Sequence, residues 1–182
     1  MPGVRGSYPR GLDVDLNGLV WTVLSDSSHL ASFDRGKCKV LTGEAATTGQ
    51  HCPEGWTLYP LPGPNFKGVK DWNTAEWSYY NWVDKYNTLG LGANVPVANG
   101  TNSDSLMVLN PATKTWTIMR VPYPMGFYQR GMDGRIDDPK AGWKGRGMWA
   151  DDGSRAVWHR EGGPYGGSQV IHFQVRPDPL AK

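Results

Sequence analysis

An internal repeat restricts the fold of this 182-residue chain more than any other feature of its sequence. Residues 10–21 read Arg-Gly-Leu-Asp-Val-Asp-Leu-Asn-Gly-Leu-Val-Trp, and residues 146–158 read Arg-Gly-Met-Trp-Ala-Asp-Asp-Gly-Ser-Arg-Ala-Val-Trp. Each copy predicts a strand, a tight Asx-Gly turn and a second strand ending in tryptophan, because glycine adopts a positive φ at little cost. The copies are separated by roughly three repeats of about 45 residues.

Two further types of strand recur in a fixed order after these pairs. Alternating apolar residues at 29–34, 104–111 and 170–175 predict a third strand of the repeating unit. Residues 55–62 and 114–124 share Trp-Thr-apolar and a Pro-x-Pro exit, and they predict a fourth strand. Four strands in about 45 residues are typical of one β-propeller blade. We therefore predict an all-β fold, a partial β-propeller of about three four-stranded blades with long inter-blade loops.

The repeat order assigns the whole chain, 1–182, to one propeller fragment. The predicted blades lie at about 8–64, 65–124 and 143–180, with a loop at 125–142. Residues 76–86 are assigned to the first two strands of the middle blade, and a short helix is the alternative. Three blades leave sheet faces uncovered at both ends. We therefore expect the missing N-terminal blades of the same protein, or a second copy, to be a partner.

Composition and charge narrow the classes of partner. The chain has 24 glycines, 14 prolines and nine tryptophans, a composition typical of aromatic β-proteins with many turns. A net charge of +2 without a basic stripe argues against nucleic-acid binding. No apolar run approaches the roughly 20 residues of a membrane span, and residues 1–6 do not resemble a secretory signal. Taken literally this indicates a cytoplasmic chain; the alternative, which we favour, is a fragment of a longer periplasmic or extracellular protein.

Two cysteines, Cys38 and Cys52, flank a polar segment rich in Thr, Gly and Ala. In an exported protein they would form a disulfide, which stabilises a loop of this length by about 3 kcal/mol. The alternative is two independent thiols. A zinc site that includes His51 is not favoured, since the spacing matches no standard zinc motif.

The blade motifs resemble those of a known family. Gly-Leu-Asp-x-Asp-x-Asn-Gly-x-x-Trp-Thr at 11–22, Leu-x-x-Phe-Asp at 30–34 and Trp-Thr-Leu-Tyr-Pro-Leu-Pro at 56–62 are similar to blades of streptogramin (virginiamycin B) lyases. Segments 51–56, 134–139 and 141–147 resemble still more closely the C-terminal region of large bacterial propeller proteins, some with a carboxypeptidase-regulatory-like domain. The resemblance implies a propeller fold, and blade motifs specify fold better than chemistry.

The same resemblance implies a possible lyase site. Lyases of that family use magnesium and a His/Glu cluster at one mouth of the propeller to open a cyclic depsipeptide by elimination. The nearest equivalents are His159 as general base and Glu161 as metal ligand or orienting carboxylate, two residues apart and so on one face of a strand. The alternative is that both are ordinary polar residues of a strand.

A second metal candidate is the acidic segment 133–138. Asp133, Asp137 and Asp138 are spaced like the second half of a calcium loop, although Lys140 stands where a bidentate acid is required. A salt-bridged surface loop is the alternative. The start of a calcium loop at Asp13, Asp15 and Asn17 reads better as a hairpin turn, because Leu24 occupies the last ligand position.

Aromatic residues supply the ligand-binding candidates. A dense cluster has rings suited to stacking on a sugar or a cofactor, and its members are Trp72, Trp77, Tyr79, Tyr80, Trp82 and Tyr86. We predict Trp72, Trp77, Tyr80 and Trp82 as the ligand-binding residues among them, together with Arg146 from the C-terminal repeat. Blade-to-blade packing is the alternative for these rings. We predict a ligand-binding or scaffold module that holds a small molecule or polymer at the propeller mouth. The alternative is a metal-dependent lyase, with Mg or Ca as the possible cofactor.

Overall fold

The computed structural model describes residues 6–69, 74–122, 126–152 and 169–176. Within these ranges the regular structure consists of β-strands and short 3-10 helices. The strands are β1 Pro9–Val14, β2 Val20–Leu24, β3 His29–Phe33, β4 Trp56–Pro60, β5 Asn81–Asp84, β6 Val95–Gly100, β7 Ser105–Asn110, β8 Thr115–Arg120, β9 Met132–Ile136, β10 Arg146–Asp152 and β11 Gln169–Phe173. The 3-10 helices are Arg35–Lys37, Glu44–Thr48, Pro53–Gly55 and Pro139–Gly145. No helix in the described ranges has the length and apolar character needed to span a bilayer.

The strands form three antiparallel sheets. Sheet 1 has the order β1-β2-β3-β4 and sheet 2 the order β5-β6-β7-β8, so both are meanders of four consecutive strands. Sheet 3 has the order β9-β10-β11 within the described residues. The predicted all-β fold, a partial β-propeller of three blades, is confirmed.

The turn between β1 and β2 shows how the local sequence produces these meanders. Oδ1 of Asp15 accepts hydrogen bonds from the backbone N–H groups of Asn17 at 2.8 Å and Leu19 at 2.9 Å. Gly18 has a φ of 81°, a conformation that glycine adopts without steric cost. The Asp-x-Asn-Gly segment is therefore a turn, and its carboxylate satisfies backbone donors of that turn.

Sheet 2 lies between sheets 1 and 3. Consecutive strand residues point to opposite sides, so its side chains are buried on both faces. On β7, Met107 and Leu109 face sheet 1, whereas Leu106 and Val108 face sheet 3. The core between sheets 1 and 2 contains Trp21, Val23, Leu30, Leu61, Val83, Ala98, Met107 and Leu109. The core between sheets 2 and 3 contains Leu89, Val95, Val97, Leu106, Val108, Val121, Phe127, Met148, Ala150 and Phe173.

The first strands of the three sheets are neighbours. The carboxylate of Asp13 on β1 accepts from the backbone N–H of Val83 on β5 at 2.9 Å and from Nζ of Lys85 at 2.8 Å. A Cβ placed on Gly134 of β9 would lie 2.6 Å from the ring of Trp82 on β5. Since β1, β5 and β9 adjoin one another in this way, they occupy the innermost position of successive blades.

Three details differ from the sequence prediction. Strand β9, Met132–Ile136, lies inside the segment assigned to the loop 125–142, so the third blade begins before residue 143. Segment 76–86 contains one strand, β5, and the second strand of that blade is β6, Val95–Gly100. Strand β10 pairs with both β9 and β11, and it is therefore the second strand of its blade, not the counterpart of β1.

The predicted disulfide is confirmed. Cys38 and Cys52 are bonded, with their Cα atoms 5.0 Å apart, and no free cysteine remains in the chain. The bond joins the segment after β3 to the segment before β4. Gly55 packs closely beneath it, because a Cβ there would lie 2.9 Å from Sγ of Cys52. This covalent link closes the long connection between β3 and β4 of sheet 1.

Candidate functional site

Two arginines from different blades converge on one tyrosine. The hydroxyl of Tyr79, just before β5, accepts from Nη1 of Arg10 at 2.7 Å and from Nη2 of Arg130 at 2.5 Å. The guanidinium carbons lie 4.7 Å and 4.4 Å from the centroid of the Tyr79 ring, within the range of cation–π attraction. Arg10 is on β1, and Arg130 lies immediately before β9. All three blades therefore contribute to one site.

Polar side chains of the second strands position the segments that carry these residues. Oδ1 of Asn99 on β6 accepts from the backbone N–H groups of Tyr79 at 2.7 Å and Tyr80 at 2.8 Å. Oδ1 of Asp151 on β10 accepts from those of Arg130 at 2.8 Å and Gly131 at 2.6 Å. In two blades, therefore, a side-chain oxygen on the second strand holds the segment that precedes the first strand by accepting from two consecutive backbone N–H groups.

Aromatic rings surround Tyr79. Its ring centroid lies 5.4 Å from Trp77, 5.0 Å from Tyr80 and 6.3 Å from Tyr128, and Trp77 stacks on Tyr128 at 6.4 Å. Tyr128 is buried, whereas Trp77, Tyr79 and Tyr80 are half-buried. This gives a wall of partly accessible rings beside two cations, a combination found in binding sites for polar ligands with apolar faces.

Tyr8 extends the wall on the side of blade 1. Its hydroxyl accepts from Nη2 of Arg10 at 2.9 Å, and its ring lies 4.6 Å from the guanidinium carbon of Arg10. The side chain is 57% exposed. Its φ of 62° is unusual for a tyrosine, and such strained conformations are concentrated at functional sites. We use the term Arg–Tyr cluster for Tyr8, Arg10, Trp77, Tyr79, Tyr80, Tyr128 and Arg130.

The Arg–Tyr cluster has no acidic partner within the part of the chain that the structure describes. Among the residues that the structure describes, no carboxylate pairs with Arg10 or Arg130. Their terminal nitrogens are at most about 5 Å apart, because both lie against the same oxygen atom. The hydrogen bond to Tyr79 raises the pKa of Arg130 above its usual value. Both guanidiniums are therefore positively charged, and the site attracts anions.

The structure separates the aromatic residues predicted from the sequence. Trp77 and Tyr80 belong to the Arg–Tyr cluster, but Trp82 packs into the core between sheets 2 and 3. Arg146 pairs with Ile136, whereas Ala150, four residues later on β10, pairs with Met132 at the start of β9. Arg146 is therefore at the opposite end of the blade from Arg130. Trp72 lies outside the described residues.

Sequence analysis did not identify Arg10, Tyr128 or Arg130 as site residues. A signal was present, because Arg-Gly-apolar-Asp occurs at 10–13 and again at 130–133. Each copy places an arginine at the beginning of an innermost strand. The Asp-Gly turn signal after residues 146–149 is stronger. It favours an alignment of β10 with β1, whereas the structural counterpart of β1 is β9.

The predicted metal ligands are not brought together. Asp133 accepts from the backbone N–H of Gly134 at 2.8 Å, Asp137 pairs with Arg135 at 2.5 Å, and Asp138 accepts from the N–H of Lys140 at 2.9 Å. Each carboxylate thus serves the local loop. No group of three His, Cys, Asp or Glu side chains able to hold a metal ion occurs within 6–69, 74–122, 126–152 and 169–176. His159 and Glu161 lie outside the described residues.

A depression that does not include the Arg–Tyr cluster lies on sheet 1 beside the disulfide. It has a volume of about 910 Å³ and is lined mainly by apolar groups, including those of Leu24, Phe33, Trp56 and Leu58. His51 is its one ionisable side chain among the residues that line it. This depression offers few polar groups to orient a ligand. The Arg–Tyr cluster is therefore the better candidate for specific binding.

Comparisons with solved structures connect the fold to propeller proteins. A streptogramin B lyase structure matches with a TM-score of 0.50 and 13% identity. Virginiamycin B lyase from Staphylococcus aureus matches with a TM-score of 0.49 in two structures. One is a catalytically inactive variant with quinupristin at 13% identity, and the other is the selenomethionine-substituted protein at 14%. No family model and no curated protein matches the chain.

These similarities concern the fold. Each match covers 98% of this chain and 44% of the lyase chain, so the chain spans less than half the length of those proteins. At 13% identity and a TM-score of 0.50, the streptogramin B lyase structure shows a shared fold and nothing more, since one fold supports many unrelated activities.

Proposed function

We propose that this chain is the ligand-binding part of a β-propeller protein and that the Arg–Tyr cluster is its binding site. The observation that carries the proposal is the pair of hydrogen bonds from Arg10 and Arg130 to the one hydroxyl of Tyr79. The three blades bring two cations and several half-buried rings together at one point. Neither cation has an acidic partner among the described residues. Binding of a ligand with an anionic group and an apolar face accounts for that arrangement.

The proposal includes the setting of the chain. Blades of the same type, from the rest of a longer protein or from a second copy, would cover the outer faces of sheets 1 and 3. Exposed apolar residues on the terminal sheets favour this, since Leu12 on β1 is 66% exposed and Val170 on β11 is 67% exposed. The Cys38–Cys52 disulfide favours a periplasmic or extracellular location, because disulfides persist in oxidising compartments.

Lyase chemistry is the alternative that the family resemblance suggested. The described residues do not supply a donor set for magnesium, and the two residues assigned to that chemistry, His159 and Glu161, lie outside them. The structural likeness to the lyases supports the fold alone. Magnesium-dependent ring opening of a streptogramin B by this protein, lost on adding EDTA, would favour the lyase over the binding module.

Binding can be tested with an array of immobilised neutral and acidic polysaccharides. We expect the wild-type protein to bind at least one of them and Trp77→Ala to weaken that binding by about tenfold, as truncation of a central aromatic anchor does in other interfaces. Tyr86→Ala is the matched control, because Tyr86 is an aromatic residue that is 70% exposed and follows the end of β5, whereas Tyr79 precedes its start. It should bind like the wild type.

Thermal unfolding followed by circular dichroism must accompany the array, since Trp77 packs on Tyr79 and Tyr128. Tyr79→Phe provides a milder variant that removes one oxygen and keeps the ring. If Trp77→Ala and Tyr79→Phe are folded and bind as well as the wild type, ligands bind elsewhere and the proposal fails. Absence of binding to the entire array would overturn it as well.

A further inference from the structure

We infer that the ligand of the Arg–Tyr cluster is an acidic polysaccharide whose sugars carry carboxylates, that is, a polyuronate. This inference rests on the proposed function and names the chemical class of the ligand. Two features of the site point to it: a pair of guanidiniums at hydrogen-bonding distance from one oxygen, with no carboxylate partner among the described residues, and accessible aromatic surface directly beside them.

The guanidiniums determine the anionic part of the ligand. Arg10 and Arg130 each direct one N–H toward the Tyr79 hydroxyl, and Arg10 directs a second toward the hydroxyl of Tyr8, which leaves the remaining donors of both groups for a ligand. Guanidinium groups bind planar carboxylates through two parallel hydrogen bonds. A carboxylate that contacts both arginines would also relieve the repulsion of two like charges whose nearest bonded nitrogens share one oxygen partner.

The rings determine the body of the ligand. Both guanidiniums lie over the Tyr79 ring, and that of Arg10 also covers one face of Tyr8. Stacking surface for a ligand is therefore provided by the other face of Tyr8 and by Trp77. Tyr8 is 57% exposed and Trp77 is half-buried. Aromatic rings of this kind pack against the apolar face of a sugar ring. Within a uronic acid the carboxylate is attached directly to such a ring, which matches the short distance between cations and aromatic surface.

Charge beyond the site favours a uronate over a phosphate polymer. Nucleic-acid binding uses many lysines and arginines along a groove, because each phosphate contact adds to affinity. This chain has a net charge of only +2, and Arg10 and Arg130 converge on one point instead of following a groove. A polyuronate needs only one such point, where a single sugar unit is gripped while the flanking units extend into solvent.

The experiment compares two probes that differ only in charge. Oligogalacturonides of one length are prepared unesterified and fully methyl-esterified, and their binding to the full chain is measured by isothermal titration calorimetry at low and at physiological salt. We expect the unesterified probe to bind at least about tenfold more tightly, with an affinity that decreases as salt is added. Equal affinity for the two probes would overturn the inference.

Arginine variants locate the interaction. Arg10→Gln and Arg130→Gln should each weaken binding of the unesterified probe by about tenfold, in line with the loss of a charged hydrogen bond. Arg10→Lys should restore part of it, since lysine keeps the charge but not the planar fork. Arg35→Gln is the control with the same change of net charge, because Arg35 is exposed on a 3-10 helix of blade 1 and should leave binding unchanged.

The outcomes separate the inference from the proposed function. If only sulfated glycans bind and Trp77→Ala abolishes that binding, the proposed function stands and the polyuronate inference fails. Binding restricted to neutral glycans or to single-stranded DNA would also overturn the inference, and binding of neutral glycans alone would contradict the anionic ligand of the proposed function as well. If the unesterified probe binds but Arg10→Gln and Arg130→Gln, both folded by circular dichroism, bind like the wild type, the Arg–Tyr cluster is not the site and both proposals fail.

Discussion

The side-chain Oδ1 of Asn99 lies 2.7 Å from the backbone nitrogen of Tyr79, and this contact holds the aromatic segment in place. The same oxygen accepts from the N–H of Tyr80 at 2.8 Å and from the hydroxyl of Ser78 at 3.1 Å, while Nδ2 donates to Thr101 at 2.9 Å. Asn99 is completely buried. One amide therefore satisfies three donors that precede the first strand of blade 2.

Replacement of Asn99 by leucine should destabilise the protein strongly. The apolar side chain has a similar size but accepts no hydrogen bond, and each donor left unsatisfied in the interior costs about 1–3 kcal/mol. We expect the free energy of unfolding, measured by urea denaturation, to fall by about 3 kcal/mol. Asn99→Asp retains an acceptor oxygen and should lose less. A leucine variant as stable as the wild type would show that Asn99 does not hold this segment.

Gln129 presents the opposite case, a buried amide that lacks hydrogen bonds. Its side chain is fully buried, and neither Oε1 nor Nε2 has a hydrogen-bond partner among the residues that the structure describes. Removing such a group in favour of an apolar one of the same shape relieves a desolvation cost. Gln129→Met should therefore raise the free energy of unfolding by about 1 kcal/mol, detected as a higher urea midpoint at an unchanged slope.

Gln174 is the matched control for that substitution. Its Nε2 donates to the carbonyl oxygens of Trp143, Lys144 and Arg146, at 3.2, 3.2 and 2.7 Å. Gln174→Met should lower stability, because it removes these bonds. If both variants change stability in the same direction, hydrogen bonding does not explain the difference between the two glutamines.

Comparison of sequence and structure shows which signals were reliable. Sheet 1 was predicted strand by strand, because Asn17-Gly18 marks the turn and the apolar residues of the following strands alternate. Strand β9 was missed because its connection to β10 is not a two-residue turn. It runs through the 3-10 segment Pro139–Gly145 and closes with a hydrogen bond from Asp137 N–H to the Gly145 carbonyl. No short-range pattern identifies such a hairpin.

The candidate site was only partly predictable for a related reason. Trp77 and Tyr80 were identified because they belong to a local aromatic run, but Arg10 and Arg130 are 120 residues apart in sequence and meet only at Tyr79. Their convergence depends on the way in which sheets 1 and 3 flank sheet 2. Sequence periodicity predicts each strand. It does not predict how the three sheets are placed relative to one another, and that placement brings the two arginines to one oxygen.

Close packing between β5 and β9 gives a prediction for the interior. A Cβ at Gly134 would lie 2.6 Å from the Trp82 ring and 3.2 Å from Cβ of Met148, distances that require one of these groups to shift. Gly134→Ala should therefore destabilise the protein by about 1–3 kcal/mol, the usual cost of overpacking. Gly18→Ala is not an equivalent control, because its φ is positive. Gly131→Ala is suitable, since its nearest neighbour would be 3.5 Å away and a much smaller loss is expected.

The disulfide should contribute measurably to stability. Cys38 and Cys52 are 14 positions apart in the sequence, and cross-linking a loop of about this length destabilises the unfolded chain by about 3 kcal/mol in the chain-entropy model. We expect the double variant Cys38→Ser, Cys52→Ser to unfold at a lower temperature than the oxidised wild type. The reducing agent dithiothreitol should lower the melting temperature of the wild type but not that of the variant. Equal melting temperatures for the oxidised wild type and the variant would contradict the prediction.

Burial of His29 predicts a pH dependence of stability. The side chain on β3 is 1% exposed, and desolvation lowers its pKa below the usual value of about 6.5, although a hydrogen bond to the backbone of Ser27 acts in the opposite direction. Above the unfolded pKa, histidine is neutral in both states and stability is unaffected. Below it the unfolded chain takes up a proton that the folded protein resists, so stability falls with falling pH.

His29→Gln removes this difference in proton uptake. Urea denaturation at pH 7.5 and pH 5.5 should show that the free energy of unfolding decreases between these pH values by more in the wild type than in the variant. The comparison stays above the usual pKa of Asp and Glu, about 4, so that carboxylate titration contributes little. Because the other three histidines are present in both proteins, the difference between the two slopes belongs to His29. Equal slopes would mean that His29 is protonated as readily in the folded protein as in the unfolded chain.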